Sequence, residues 1–255
     1  MRVFDIPAMS PDDTYHLTTS LVVPRPIGWV STVDAQGVPN LAPFGYFNVC
    51  SHKPPVLHIT DTGSHSDTLR NIRATGEFVC HVVSYDHVQA MNFTAIPFPP
   101  QENEFEWAGL TMVPAQKVRA PHIAETRARI ECRLRQFVAI GDDTMVLGDI
   151  VSVSVDPAVM RAGRVEPDLL RPVGRYSGNR YAEATGMYRL PRVGWEELNA
   201  EGGPHRLPAF VPGRWRGAAS VGDTPPFYGP AEVGDESDPA PTPSRRSSNA
   251  RDTPT

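Results

Sequence analysis

The stretch VPNLAPFGYFN, residues 38–48, decides how the chain is interpreted, because it mixes residues that favour a strand with residues that break one. Pro43 and Gly45 each weaken the interior of a strand. The closely spaced aromatic side chains of residues 44–47 are nonetheless unusual for a surface loop. The stretch therefore predicts a strand that is broken at Pro43 and Gly45 and carries aromatic rings and amide side chains near the break.

The segments around this stretch predict further strands and one well-capped helix. Residues 27–33, IGWVSTV, alternate as in a strand, and residues 34–37, DAQG, follow as a hairpin turn. Residues 55–60, PVLHIT, predict a strand after the broken one. In the segment that follows, Ser66 is suited to cap the start of a helix and Gly76 to end it.

The second half of the sequence predicts mostly antiparallel strands. Residues 77–83 read as a strand and residues 84–92 as a short helix, whereas the proline-rich residues 94–109 predict a long excursion without a regular element. Residues 125–140 and 145–155 predict two long strands joined by the turn GDDT. Because strands outnumber helices, the predicted fold class is mainly β, a closed or nearly closed β-barrel with peripheral helices.

The strand predicted over residues 125–140 alternates between charged and apolar side chains. One face carries Arg127, Arg129, Glu131, Arg133 and Arg135, and the other carries Ala128, Ile130, Cys132 and Leu134. A row of charges of this kind is typical of a solvated face, and a subunit interface is the alternative interpretation.

Composition and charge exclude some partners and restrict how others are bound. A formal net charge of −5 argues against a nucleic-acid-binding protein, which needs a basic surface. Lysine occurs only at Lys53 and Lys117. Any bound phosphate must therefore be held by arginine, by hydroxyl groups or by backbone N–H groups.

The N-terminal region and the cysteines indicate where the protein works. Residues 1–20 are interpreted as a leader segment with a short turn at residues 10–13, and they lack the pattern of a signal peptide. The sequence has no apolar run long enough to span a membrane, so no membrane association is predicted. Cys50, Cys80 and Cys132 are odd in number and far apart, which favours reduced thiols and a cytoplasmic location.

A change in composition divides the chain near residue 200. Residues 1–200 are expected to hold the folded domain, and residues 201–255 form a tail rich in proline, glycine and serine. Within that tail, residues 234–255 contain no apolar side chain larger than alanine. Such a segment cannot bury enough surface to offset the entropy of ordering, so the tail is predicted to be disordered.

The motifs of several enzyme classes are missing. The sequence contains no G-x-G-x-x-G, P-loop, H-E-x-x-H or G-x-S-x-G pattern, which weakens Rossmann, NTPase, zincin and α/β-hydrolase interpretations. The histidines have no spacing typical of metal ligands, and no metal site is predicted.

The loop before the helix at residue 66 is a candidate phosphate site. Ser64, Ser66 and Thr68 place three hydroxyl groups around a helix N-terminus, which can bind phosphate through its free N–H groups. Asp67 would repel a phosphate placed too close, and capping alone explains Ser66 and Asp67. The neighbours Ser64, His65, Ser66 and Asp67 do not make a catalytic triad, since triads are assembled in space.

Seven segments of the sequence match a known family in their order and spacing. They are VPRPIGWVSTVDAQGVPNLAPFGYFNVCSHKPPV, SDTLRNIRATGEFVCHVV, MNFTAIPFPPQENEFEWAGLT, APHIAETRARIECRL, LGDIVSVSVDP, LRPVGRYSGNRY and YRLPR. Together they resemble the flavin-reductase-like family, the FMN-binding split-barrel group that includes flavoredoxin. The resemblance covers about residues 15–193 and leaves out the tail.

The resemblance implies a six-stranded antiparallel Greek-key split barrel that binds FMN, usually as a homodimer with the sites at the interface. FMN would lie against the broken strand, where backbone groups approach the polar edge of the isoalloxazine and side chains supply amides and a ring. The implied contacts on this strand are Asn40, Ala42, Pro43, Phe44, Tyr46 and Asn48.

The resemblance also implies where the phosphate of FMN lies. It would sit near Ser31 or Thr32 and the helix start at residues 65–68, which adds His65, Ser66 and Thr68 to the candidate contacts. Arg25, before the first strand, is a further phosphate candidate. Arg175, Tyr176 and Tyr181 match a late segment that folds over the flavin in some members, although members vary there.

The implied function is that of an NAD(P)H-dependent flavin reductase. NADH or NADPH would stack on the exposed face of the flavin and deliver hydride, and the electrons would pass to free flavin or to a partner oxygenase. Hydride transfer requires no catalytic acid or base, so only cofactor contacts are nominated.

Two other interpretations remain open at this stage. The protein could be a binding module, an FMN-holding electron carrier or sensor without NAD(P)H turnover. A third possibility on a related barrel is a heme-handling or pyridoxamine-phosphate-oxidase-like protein. Heme binding would need an axial ligand such as His58, His65 or His122.

Overall fold

A seven-stranded antiparallel sheet is the main feature of residues 1–184, the part of the chain that the computed structural model describes. The strands, in chain order, are β1 (Arg25–Pro26), β2 (Gly28–Val33), β3 (Pro39–Phe44), β4 (Phe47–His52), β5 (Pro55–Asp61), β6 (Glu77–Val82), β7 (Met112–Val113), β8 (His122–Ile123), β9 (Ala128–Ile140), β10 (Asp143–Val155), β11 (Met160–Arg161), β12 (Arg164–Val165), β13 (Val173–Arg175) and β14 (Tyr181–Glu183). The boundary expected near residue 200 and the tail 201–255 lie outside the described residues.

The helices within residues 1–184 are few and short. The α-helices are α1 (Pro11–Leu21), α2 (Asp67–Thr75), α3 (Val88–Phe93), α4 (Glu104–Trp107) and α5 (Pro167–Leu170), and single 3₁₀ turns cover Ile6–Ala8, Tyr85–His87 and Pro157–Val159. The predicted fold class, mainly β with peripheral helices, is confirmed.

The main sheet closes on itself through the broken strand. Its strand order is β3-β2-β6-β9-β10-β5-β4, so its first and last strands, β3 and β4, are neighbours in the chain. Only Gly45 and Tyr46 separate them, and Thr60 of β5 donates a backbone hydrogen bond to Tyr46 (2.9 Å). β3 and β4 are therefore two halves of one interrupted strand, and each half forms one edge of the sheet. With the halves counted separately, the sheet has seven strands where six were expected.

The break itself lies later than predicted. Pro43 is an ordinary member of β3 opposite Trp29 of β2, and the interruption falls at Gly45 and Tyr46. Proline is tolerated there because β3 is the first strand of the sheet order and its outer side needs no ladder hydrogen bonds.

Apolar side chains fill both sides of β2. Val30 belongs to the cluster inside the barrel together with Phe78 and side chains of α2, whereas Trp29 packs in a second cluster with Phe105. Every residue of β2 is buried as a result. Sequence alternation correctly predicts this strand, but burial on both faces hides which side faces a ligand.

The capped helix is confirmed in its details. Ser66 Oγ accepts a hydrogen bond from the backbone N–H of Leu69 (3.1 Å), and Gly76 ends α2 in the left-handed conformation at φ +70°. The two long strands predicted from residue 125 onward are also present as β9 and β10.

Two segments predicted without a helix contain one. The turn expected at residues 10–13 is the start of α1, where Ser10 Oγ accepts from the N–H of Asp13 (3.1 Å) and Pro11 occupies the first helical position. The proline-rich excursion contains α4, because Phe105 is completely buried and anchors one turn of helix.

The charged face of β9 is not solvated throughout. Glu131 is only 1% exposed, and its carboxylate accepts from the backbone N–H groups of Gln116 (3.1 Å) and Lys117 (2.6 Å). Arg133 and Arg135 further along the strand are exposed as predicted. The loop before β8 therefore covers one end of the row of charges.

Candidate functional site

A cavity of about 560 Å³ lies along β3 and continues past the break. Its walls are β3, the start of α2, the loop after α3, and side chains from α1, β1, α4 and β13. The lining residues are Tyr15, Arg25, Asn40, Ala42, Pro43, Phe44, Gly45, Tyr46, Thr60, Asp61, Thr62, His65, Ser66, Asp67, Thr68, Thr94, Ala95, Ile96, Pro97, Phe98, Glu104 and Arg175.

Most of the cofactor contacts predicted from the sequence meet in this cavity, although they come from separate parts of the chain. The predicted residues that line it are Arg25, Asn40, Ala42, Pro43, Phe44, Tyr46, His65, Ser66 and Thr68. The predicted residues that do not line it are Ser31, Thr32 and Asn48.

Ser31 and Thr32 are completely buried behind the cavity wall. Ser31 Oγ donates to the carbonyl of Pro121 (2.6 Å). Thr32 Oγ1 accepts from the side-chain amides of Asn40 (3.3 Å) and Asn71 (3.1 Å). Thr32 therefore orients a cavity residue instead of lining the cavity itself.

Asn48 lies beyond the break, on β4, and lines a second cavity of about 490 Å³. Its side chain is exposed, and its Oδ1 accepts from the backbone N–H of Val49 (2.8 Å). Arg25 and Tyr46 stand between the two cavities and line both.

Asn40 is held rigidly at one end of β3. Its Nδ2 donates to Thr68 Oγ1 (2.9 Å) and to Thr32 Oγ1, so both amide hydrogens are engaged within the protein. Oδ1 is then the atom of this amide that is left to accept a hydrogen bond from a ligand. Asn40 and Thr68 act as one unit, which ties β3 to the start of α2.

The backbone of β3 offers fewer free groups than expected. The N–H of Leu41 points away from β2, since it donates to Glu104 Oε2 (3.1 Å). Antiparallel pairing alternates along a strand, so Pro43 shares this outward orientation while Ala42 and Phe44 face β2. The backbone groups that remain available to a ligand here are thus the carbonyl of Pro43 and, past the break, the backbone of Gly45.

The start of α2 carries more negative charge than the sequence suggested. Asp61 Oδ2 accepts from the N–H of Ser66 (3.2 Å), and Asp67 pairs with Arg70 (2.6 Å). Glu104 stands on the same side of the cavity, and burial raises the pKa of its carboxyl, with Asp67 adding to the effect. This end of the cavity therefore holds three carboxyl groups.

Two arginine side chains line the cavity near the break in the strand. Arg25 and Arg175 lie there beside Gly45, and the Arg25 guanidinium stands 5.7 Å from the centre of the Tyr46 ring. Burial raises the pKa of the Tyr46 hydroxyl, as does Tyr15, while Arg25 opposes the shift. The lining of the cavity thus includes both carboxyl and guanidinium groups.

Several lining residues had no clear signal in the sequence. The loop at residues 94–98 forms an apolar wall with Ile96 and Phe98, but its prolines indicated only an irregular segment. Tyr15 and Glu104 belong to helices that the sequence did not predict. Only packing brings these residues to β3.

The histidines considered as axial ligands lie in three different places. His65 lines the first cavity and His58 the second, whereas His122 is buried beside Glu131. Among residues 1–184 no group of three or more His, Cys, Asp or Glu side chains is arranged to hold a metal ion. No helix in the same part of the chain is long and apolar enough to cross a membrane.

Comparison with known proteins assigns the family. The model of the flavin reductase-like domain matches residues 20–177. This chain belongs to the flavin reductase-like family. An uncharacterized protein of Aquifex aeolicus is 40% identical over 184 residues, which are 70% of this chain and 94% of the relative.

Solved structures of family members have the same fold. Nitrilotriacetate monooxygenase component B from Bacillus cereus matches with a TM-score of 0.71 and 31% identity, over 74% of this chain and 98% of that one. Flavoredoxin of Desulfovibrio vulgaris (Miyazaki F) matches with a TM-score of 0.60 and 26% identity, over 67% of this chain and 91% of that one. The barrel closed by β3 and β4 is therefore the split barrel of the family.

Proposed function

We propose that this flavin reductase-like protein binds FMN in the cavity along β3 and oxidises NADH or NADPH. The observation that carries the proposal is the meeting, in one cavity, of residues from β1, β3 and α2 that the family resemblance nominates for FMN. The volume of about 560 Å³ lies within the range of roughly 300–1,000 Å³ usual for cofactor and ligand sites.

The residues present suit a flat ligand with a polar edge and a charged tail. Asn40 Oδ1 and the carbonyl of Pro43 are available to accept hydrogen bonds from a ligand, and Gly45 would let a ligand approach the backbone closely. Ile96 and Phe98 add apolar side chains to the lining of the cavity, against which a flat ring could pack. The Nε atoms of Arg25 and Arg175 are buried without a hydrogen-bond partner among residues 1–184, which suits an anionic group.

The chemistry requires little from the protein beyond binding and orientation. A bound flavin supplies the acceptor for a hydride from the nicotinamide. Asn40, fixed by Thr68 and Thr32, would orient the polar edge of the ring, and the loop at residues 94–98 would limit access of water to its face. No side chain is assigned as a catalytic acid or base.

The electrons would pass to free flavin or to a partner oxygenase. The similarity to a monooxygenase component of Bacillus cereus supports a reductase that works with an oxygenase. We further propose a homodimer and a cytoplasmic location, the latter supported by three free cysteines. Sedimentation analysis tests the dimer.

An FMN-holding electron carrier is the second candidate. The similarity to flavoredoxin, whose name denotes a redox protein and no reductase, favours it. Retained flavin together with no oxidation of NADH or NADPH would support the carrier, whereas steady turnover with added FMN would support the reductase.

The first experiment is a visible absorption spectrum of the purified protein, repeated after incubation with excess FMN and desalting. A flavin band in either sample supports the cofactor, and its bleaching by NADH or NADPH supports the reductase. A protein that shows no flavin band and binds no FMN in a fluorescence titration contradicts the proposal.

Variants test the site itself. Asn40→Ala and Thr68→Ala should each weaken FMN binding about tenfold, because a hydrogen bond to a ligand and its fixed orientation are lost. Asn48→Ala is the matched control, since the sequence nominates it but it lies outside the cavity. Unchanged FMN affinity in both cavity variants would contradict the site.

A further inference from the structure

Arg25 and Arg175 are brought face to face although they are far apart in the sequence. They are direct partners in the antiparallel pairing of β1 with β13. Like charges placed opposite each other in a sheet destabilise the pairing. Arg25 is only 6% exposed, so solvent does little to screen the repulsion.

Carboxylates do not compensate these two charges in the part of the chain that the structure describes. Arg25 donates one hydrogen bond to the carbonyl of Tyr176 (3.2 Å), and Arg175 donates one to the carbonyl of Gly178 (3.4 Å). The Nε atoms of both are buried without a hydrogen-bond partner among residues 1–184. By contrast, Arg171 on the same hairpin contacts two carboxylates.

Both guanidinium groups are accessible from the first cavity, where the chain leaves room for them. A β-carbon added to Gly45 would lie 3.3 Å from Arg25 Nη1 and 3.5 Å from Arg175 Cδ. The absence of a side chain at Gly45 thus leaves the space beside both arginine side chains open. The carboxyl groups of Asp61, Asp67 and Glu104 line the same cavity from the side of α2.

We infer that Arg25 and Arg175 together form a subsite for a phosphate group of a ligand bound in this cavity. The inference rests on the proposed function and places the anion at the break in the strand, away from the start of α2. Two guanidinium groups match the charge of a phosphate monoester and donate in pairs to its oxygens. With lysine only at positions 53 and 117, arginine is the main cationic side chain available for this role.

Two ligands of the proposed reaction carry such a group. One is the flavin mononucleotide, through its terminal phosphate, and the other is the nicotinamide dinucleotide, through its phosphates. The chemistry of recognition is the same for both, so binding experiments must tell the two sources apart.

Arg175→Gln is the variant of choice, because Arg175 is only partly buried and its removal spares the buried Arg25. Arg180→Gln is the matched control, since this exposed arginine belongs to the same hairpin and does not line the cavity. Circular dichroism and thermal unfolding of both variants establish that each one folds.

Titrations with FMN and with riboflavin, which lacks the phosphate, test the flavin as source. If the subsite holds the flavin phosphate, Arg175→Gln weakens FMN binding about tenfold or more and leaves riboflavin binding unchanged. Arg175→Lys, which keeps the charge and loses the paired donors, should fall between the wild type and Arg175→Gln.

Titrations with NADH and NADPH test the other source. If the subsite holds a nicotinamide phosphate, Arg175→Gln leaves both flavin affinities unchanged and weakens the nicotinamide dinucleotide about tenfold. Either pattern supports the inference, provided that Arg180→Gln behaves as the wild type. Unchanged affinities for FMN, NADH and NADPH in Arg175→Gln would overturn it.

Inorganic pyrophosphate separates a failure of this inference from a failure of the proposed function. If the wild type binds neither FMN nor riboflavin, the proposed function fails, and calorimetric titration with pyrophosphate then decides on the subsite alone. Binding to the wild type that is lost in Arg175→Gln supports the subsite. No binding to the wild type, or equal binding to both proteins, overturns it.

Discussion

Two clusters of polar side chains in this barrel differ in how many of their hydrogen-bond donors and acceptors have partners within the protein. The sealed cluster consists of His81, His122 and Glu131, at 1%, 3% and 1% exposure. The open pair consists of Arg25 and Arg175, which face a cavity. The first group finds most of its partners within the protein, whereas the Nε atoms of both arginines have no hydrogen-bond partner among residues 1–184.

The sealed cluster has protein partners on nearly every polar atom. His81 donates from Nδ1 to the carbonyl of Trp29 (2.9 Å), and its Nε2 accepts from the N–H of Ile123 (3.0 Å). The Glu131 carboxylate takes two backbone N–H groups and lies 3.1 Å from His122 Nε2, although that ring nitrogen is not aligned for a hydrogen bond. These contacts fasten β8 and the loop before it to the barrel.

Polar side chains in a core are thus not by themselves a sign of function. Buried groups that find their partners inside the protein hold the fold together, whereas buried donors without partners point to something that is absent from the protein chain alone. Four changes test this distinction, in order of the expected effect.

Glu131→Gln should cause the largest loss of stability. The amide can still accept one of the two N–H groups, but its own NH₂ then faces the other donor, and the buried contact to His122 is lost. We expect the free energy of unfolding to fall by about 3 kcal/mol in urea denaturation. Asp149→Asn, which breaks the exposed pair with Arg135, should cost less than about 1 kcal/mol, and equal losses would contradict the distinction.

Stability should fall in acid because of the sealed cluster. Burial lowers the pKa of His81 from 6.5 to about 3, opposed by its bond to Trp29, and burial also lowers the pKa of His122. The unfolded chain then binds more protons than the folded one between pH 6.5 and 3, so the folded state is fully favoured above pH 6.5 and loses stability below it.

The slope for His81 should approach about 1.4 kcal/mol per pH unit within that window. Urea denaturation at several pH values measures it. His81→Gln, whose amide can donate and accept in the same places, should have a shallower slope. An identical slope in wild type and variant would show that His81 does not titrate on unfolding.

Glu104 is intermediate between the two groups, since it accepts from Leu41 but lines the cavity. The raised pKa of its carboxyl means that the charged form is disfavoured in the folded state. The stability that Glu104 contributes to the folded state is therefore present below its unfolded pKa of 4.5. It is lost as the pH rises from there through the higher pKa of the folded state. Glu104→Gln should be as stable as the wild type at neutral pH or more stable by up to about 1 kcal/mol, and a clear loss in thermal unfolding would contradict this.

Arg175→Gln should have the smallest effect on the protein without ligand. The change removes a like charge opposite Arg25 and one long hydrogen bond to Gly178, so the free energy of unfolding should change by no more than about 0.5 kcal/mol. Arg171→Gln, which loses contacts to Asp86 and Glu183, should cost more. If Arg175→Gln were the more destabilising of the two, the open pair would be structural.

Local patterns of the sequence predicted the elements that depend on neighbours in the chain. The cap at Ser66, the end at Gly76 and the hairpin of β9 and β10 follow from groups a few residues apart, and they appear as expected. The helix α1 carried the signals Ser10 and Pro11 as well, but it buries almost no apolar residue, so periodicity did not reveal it.

The site residues were predicted best where strand geometry is simple. Asn40, Ala42 and Phe44 line the cavity, but the series does not continue to Asn48, because the break at Gly45 and Tyr46 sends β4 to the other edge of the sheet. The same limit applies to Ser31 and Thr32, which are buried on both sides of β2 and do not line the cavity.

The barrel class, the capped helix and the presence of a broken strand were predictable from the sequence, because alternation, capping and chain-breaking residues within a few positions encode them. The burial of Glu131 and the meeting of Arg25 with Arg175 beside Gly45 appear only in the folded barrel. Those outcomes depend on the burial of polar groups by segments far away in the chain. Whether a buried charge finds its partner is a property of the closed barrel, and no local pattern records it.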